Sequence, residues 1–179
     1  EFRRVLFRST LPIGRVPQER GIRGLLISTI HHKVTLFYTN PLVALALFDG
    51  SLFLLYLTPI FGGLMHSHTG HLIMDLHFIL SGYLFFHVIV GVDPNPKRAP
   101  HIVRVIVLFA AMSIHSFFSI AILSSTSLID GGYFAALYRG WNTDLLYDQH
   151  IGGSIGWSMG EIPILIAIVA TFIQWMRDD

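Results

Sequence analysis

The apolar residues of this chain are gathered into runs of about twenty, the length of helix that crosses about 30 Å of hydrocarbon. No other feature of the sequence restricts the fold as much. A backbone in lipid has no water to bond with, so its N–H and C=O groups must pair within the segment, and an apolar run meets that demand as an α-helix. Composition agrees: 53% of the 179 residues are hydrophobic and 13% are charged, where a soluble domain carries about a quarter charged. The mean hydropathy is +0.60. There are no cysteines, which excludes disulfides and thiolate metal sites. No basic stretch followed by a short apolar core and a small-residue cleavage site opens the chain, so no signal peptide is expected.

The predicted architecture is all-α: a polytopic membrane protein with four transmembrane helices in a bundle, preceded by an amphipathic interfacial helix. Residues 1–21 are basic and irregular, interrupted by Pro12, Gly14, Pro17 and Gly21. Residues 22–38 loosen into a pattern that suits a helix lying on the membrane surface. Pro41, after Asn40, is well placed at a first helical turn. The membrane domain, 22–179, is expected to hold spans at about 42–61, 71–90, 102–124 and 154–176. The first is the least pure, because it contains Asp49 and Gly50 and ends near Pro59. A turn rich in proline and charge, 91–100, separates the second and third spans. A long polar segment, 125–152, separates the third and fourth and holds a short helix near 133–138.

Lysine and arginine set the orientation. Of the twelve, Arg3, Arg4, Arg8, Arg15, Arg20, Arg23 and Lys33 precede the first span, Lys97, Arg98 and Arg104 flank the second loop, and Arg177 follows the last span. Only Arg139 falls on the other side. Four alternating crossings with both termini cytoplasmic fit every loop. The basic N-terminus is read as this topology signal, and no nucleic-acid partner is expected.

Ionisable residues inside the spans are costly unless paired, hydrated or bound to an ion. His71, Met74 and His77 follow one another at steps of three and share a broad helix face. Met112 and His115 are three apart on the third span, and Met159 and Glu161 lie on the fourth. At about 1.5 Å per residue, His77, His115 and Glu161 sit roughly 9, 13 and 10 Å below the expected outer helix ends, all in the outer half of the membrane. Histidine and methionine are the ligand types that suit copper: thioether sulfur favours Cu(I), and imidazole takes Cu(I) or Cu(II). Glu161 or Asp148 is placed to hold a histidine tautomer or to ligate directly.

Each of these residues also has a purely structural reading. His77 and His115 make equally good interhelical hydrogen bonds to Ser81, Ser113, Ser116 or a backbone carbonyl. Met74, Met112 and Met159 are ordinary core fillers. His66, His68 and His71 read equally as a metal-capture patch or a solvated loop. Gly152, Gly153, Gly156 and Gly160 form a close-packing helix face, and Pro163 after Glu161 predicts a kink with a freed carbonyl. There is no H-E-x-x-H and no serine–histidine pairing at defined spacing, so an intramembrane hydrolase is not expected.

Four blocks of residues resemble a known family. The run from His77 to Phe86 with Gly91, Val92, Asp93, Pro94, Asn95 and Pro96 is similar to the signature of CtaG-type cytochrome c oxidase assembly proteins. So are Met112 to Phe118, the stretch Asp148 to Gly153 with Trp157 and Gly160 to Pro163, and Thr39 to Val43. The resemblance covers about residues 20–179. It implies a bacterial plasma-membrane protein of actinobacterial type that is not itself an enzyme. Its implied role is assembly of haem-copper oxidase, with oxidase subunits as partners and copper supply as the usual inference. His77, His115 and Glu161 carry the family motifs, with Met112 and Asp148 beside them. His150 departs from the family's glutamine. Family members usually have further transmembrane helices upstream, so the chain is expected to correspond to a C-terminal part, and residues 1–9 do not resemble the family. The copper set expected from the residues is therefore His71, Met74, His77, Met112, His115, Met159 and Glu161, with capture by His66, His68 and His71. Two alternatives stand beside it: a b-type haem carrier with His77 and His115 as axial ligands, and a metal-free structural assembly factor.

Overall fold

The computed structural model describes residues 33–91, 98–129, 132–137, 140 and 144–178. All regular structure among them is helical: α1 (Lys33–Tyr38), α2 (Pro41–Tyr56), α3 (Ile60–Met65), α4 (His68–Ile89), α5 (His101–Leu123), α6 (Tyr133–Ala136) and α7 (Leu145–Asp178). The amphipathic helix expected over 22–38 is described only as α1, and residues 1–32 lie outside the described part.

Local chemistry fixes most of the boundaries. Asn40 caps α2: its side chain accepts the Leu42 N–H at 2.9 Å with Pro41 at the first position, where a missing N–H costs nothing. Ser67 caps α4 from an extended backbone, its Oγ accepting the Gly70 N–H at 2.9 Å. Asp144 accepts the Tyr147 N–H at 3.0 Å and opens α7.

Three helices, α4, α5 and α7, are long and apolar enough to cross a membrane. The fourth expected span, 42–61, takes another form. Its helix α2 has a turn of π-helix at Ala46–Gly50 and runs only to Tyr56; Leu57 then leaves helical geometry, and α3 restarts after Pro59. Proline has no N–H to give to the preceding turn, which ends α2 short of the expected boundary. At 1.5 Å per residue α2 is about 24 Å long, short of a 30 Å hydrocarbon layer. In contrast, α7 has 34 residues, about 51 Å of helix. It begins nine residues before the expected start because the Asp144 cap captures the polar end of the loop, and Gly152 and Gly153 do not break it.

Helices α5 and α7 form the main packed pair, α2 lies against both α4 and α5, and α3 packs on α4. The core gathers Ala44, Phe85, Val88, Ile89, Leu108, Ala111, Ile164 and Ala167. In lipid, apolar burial by itself gives helices little reason to associate, so small residues that allow close approach carry the packing. The alanines of α2, α5 and α7 fill that role here. One end of this core is tied by polar groups. Arg104, 1% exposed, donates to the Ile89 carbonyl at 2.9 Å and to Gln174 Oε1 at 2.7 Å, and Gln174 Nε2 donates to the Val90 carbonyl at 2.9 Å. The last carbonyls of α4 are thus satisfied by side chains from α5 and α7, as a helix C-terminus requires.

Candidate functional site

The π-turn of α2 carries an acidic residue into the bundle. One extra residue in the turn re-aims the side chains that follow, and such turns concentrate at functional sites. Asp49 is 0% exposed, and neither of its carboxylate oxygens has a hydrogen-bond donor among the described residues. Its nearest partner is His115 of α5, whose Nδ1 lies 3.6 Å from Asp49 Oδ1.

The other face of the His115 ring meets α7, with Nε2 3.3 Å from the Gly156 carbonyl. The ring sits in a notch that exists because residue 160 has no side chain: a Cβ at Gly160 would lie 2.0 Å from His115 Nε2. At the next residue of each helix, the Ser116 hydroxyl donates to Glu161 Oε1. Three helices therefore converge on one polar layer: Asp49 from α2, His115 and Ser116 from α5, and Gly156 and Glu161 from α7. Both neighbours of the imidazole are acceptors. A neutral ring can donate to only one of them; pairing both nitrogens requires the imidazolium, which donates to both, or a protonated Asp49 that donates to Nδ1 while Nε2–H donates to the Gly156 carbonyl.

Above this layer lies a cavity of about 450 Å³, with His115 among its lining residues together with Tyr56, Phe61, Phe134, Asp148 and Gln149. One wall, the segment after α5, is clipped to α7. Gln149 accepts the Ile129 N–H at 2.9 Å and donates to the Ser127 carbonyl at 3.2 Å, and His150 Nε2 lies 2.8 Å from the Ser125 carbonyl. His150, which departs from the family pattern, thus has a place in holding the loop.

Of the expected ligand set, the structure brings together His115 and Glu161, on facing helices and joined through Ser116. It does not bring His77 to them. The His77 ring packs edge-on against Phe78, and α2 lies against both α4 and α5 rather than leaving their histidines face to face. Met112 borders the core and a shallow groove with Ser113, Ser116 and Phe117, Met159 is 61% exposed, and Met74 is half-buried on α4. His71 Nε2 is 2.9 Å from the Met65 carbonyl, and the rings of His66 and His71 both pack against Tyr133; His68 is exposed. Among the described residues, no group of three or more His, Cys, Asp or Glu side chains is arranged to hold a metal ion. The donors around His115 are oxygen and nitrogen, so of the two copper states the layer matches Cu(II) better than the thioether chemistry of Cu(I).

Asp49 is the member of this layer that reading by ligand type passes over. Its signal is plain in retrospect: a carboxylate inside an apolar run is expensive and needs a partner named for it. The glycine face of α7 was legible, and its closest approaches are at Gly153, against the Leu123 backbone, and at Gly160.

The family model described as cytochrome c oxidase caa3 assembly factor (Caa3_CtaG) matches residues 4–178. Residues 4–9, expected to fall outside the family pattern, lie inside that range. An uncharacterized protein of Mycobacterium leprae is 42% identical over 162 residues, 90% of this chain and 25% of the relative. Uncharacterized proteins of Mycobacterium bovis and Mycobacterium tuberculosis are each 38% identical over 169 residues, 94% of this chain and 26% of the relative. The chain therefore spans about a quarter of the length of the curated relatives it matches. No solved structure matches significantly.

Proposed function

The chain belongs to the cytochrome c oxidase caa3 assembly factor family, and from that premise we propose that it is a bacterial plasma-membrane assembly factor that handles copper for the oxidase. The observation that carries the copper reading is the layer of buried Asp49 and partly buried His115, Ser116 and Glu161 under an outer cavity. Four polar side chains, three of them ionisable and costly in a membrane bundle, converge there from three helices.

In this reading His115 is the ligand that meets copper entering through the cavity, with Glu161 beside it and Asp49 behind the ring. Copper bound there would be cargo held for a partner subunit, with no reaction of its own. Asp49 and Gly160 hold the imidazole in place, one by its charge and the other by leaving room for the ring. Ser116 keeps the Glu161 carboxylate turned toward the layer. The outer histidines His66, His68 and His71 supply a first contact for the ion, and the methionines Met74, Met112 and Met159 and His77 lie along routes to and from the layer. Helices α2 and α3 together make the fourth crossing, and both termini are cytoplasmic, as the lysine and arginine distribution supports.

Titration of the purified full chain with Cu(II), and with Cu(I) under reductant, tests the reading. Wild type is expected to bind one equivalent more than His115→Ala, with His77→Ala near wild type. Equal stoichiometry for wild type and the double variant His77→Ala with His115→Ala would overturn it.

A further inference from the structure

The carboxylates within the apolar helices are treated in two ways. Asp49 and Glu161 face inward, beside His115 and Ser116 respectively. Asp75 of α4 faces out. It shares its helix face with Leu72, Leu76 and Ile79, at steps of three and four, and these are 61%, 52% and 68% exposed. Among the described residues no hydrogen bond or ion pair reaches it. The Tyr56 phenol lies within electrostatic range without bonding to it.

Depth makes this arrangement unusual. From Ile89 at the inner end of α4 to Asp75 is about 21 Å of helix, so a 30 Å hydrocarbon layer laid from that end leaves Asp75 roughly 9 Å inside it. Lysine and arginine at such a depth can stretch their long stems toward the headgroups. Aspartate has one methylene and cannot. An anion among exposed leucine and isoleucine side chains in lipid calls for a cationic donor at its own depth.

We propose that the Leu72–Asp75–Leu76–Ile79 face of α4 is a docking surface for a further transmembrane helix, one that carries lysine or arginine opposite Asp75. The apolar neighbours supply the van der Waals contact that any lipid-embedded helix pair uses. The carboxylate supplies selection, because it leaves a partner lacking the cation with an unpaired charge to cover. The inference is independent of copper: it uses neither the Asp49–His115 layer nor the outer histidines.

The test uses the full chain in lipid vesicles. With no native cysteine, a single fluorophore can be attached at Ser127→Cys, and binding is read by energy transfer to synthetic polyleucine transmembrane peptides. One peptide has a lysine about 9 Å from its outer end and one is all leucine. The lysine peptide is expected to associate about tenfold more tightly. Asp75→Leu should erase that preference, and Asp75→Glu should retain it. Asp75→Leu removes a charge from an exposed apolar face, so its thermal unfolding should be no lower than wild type, and that measurement separates loss of docking from loss of fold. Equal association of the two peptides, as for a carboxylate that simply faces lipid, would overturn the proposal. So would a lysine preference that survives Asp75→Leu, or self-association of the chain that Asp75→Leu abolishes while the peptides stay undiscriminated, since the face would then join two copies.

Discussion

The missing side chain at residue 160 is what gives His115 its position. A methyl group there would lie 2.0 Å from the imidazole nitrogen, so Gly160→Ala must either swing the ring away from Asp49 or push α7 off α5. Overpacking of this kind costs about 1–3 kcal/mol, read as a lower unfolding midpoint in detergent. The double variant Gly160→Ala with His115→Ala should recover much of the loss, because the clash needs both partners. Additive penalties would show that the notch is not shaped by the histidine. At this scale the sequence is readable in part. His115 and Glu161 stand out as ionisable groups in an apolar run, and the glycines stand out by spacing. The pairing of Asp49 with His115 does not, because nothing in the local pattern of either helix specifies which turn of the other it will meet.

Among the elements, α7 departs most from its expected bounds. Hydropathy starts the span at about residue 154, since Asp148, Gln149 and His150 are polar and Gly152–Gly153 resembles a break. The helix starts at Leu145 because the Asp144 carboxylate takes up the Tyr147 N–H and the loop carbonyls take up Gln149 and His150. Loss of that cap in Asp144→Ala should cost about 0.5–2 kcal/mol locally. Amide exchange would rise over 145–150 and stay unchanged near Ile164–Thr171, and protection left intact at both ends would count against the cap. With α7 starting at Leu145, Glu161 lies about 24 Å along its helix instead of about 10 Å, yet it shares a layer with His115 through the Ser116–Glu161 hydrogen bond. α2 departs in the other direction. Its apolar run is long enough to span, but Pro59 and the π-turn at Asp49 divide it, and helix breaks of that kind depend on tertiary contacts as well as on composition.

For the whole molecule, the charge distribution predicts which loops are reachable from which side. A cysteine at Ser127 should react with a membrane-impermeant maleimide on intact cells, whereas one at Arg98 should react only after permeabilisation, with no background because the chain has no cysteine of its own. Labelling of Arg98→Cys from outside would reverse the topology and with it the outer position of the cavity. Arg104 shows how far a charge count reaches. Its place among the basic flanks reads as orientation, and in the fold it is also buried, tying the end of α4 to Gln174 of α7.

The sequence by itself determined the helical class, the apolar runs that become α4, α5 and α7, the helix boundary at Asn40–Pro41 and the family, because these depend on local periodicity, composition and motif order. Only the tertiary structure decided which ionisable groups meet. His71, Met74 and His77 share a face on one helix, but a site needs several helices, and the rotation of each about its own axis is set by packing. That packing turned His115 toward Asp49 and Gly156, set His77 against Phe78, and left Asp75 facing outward.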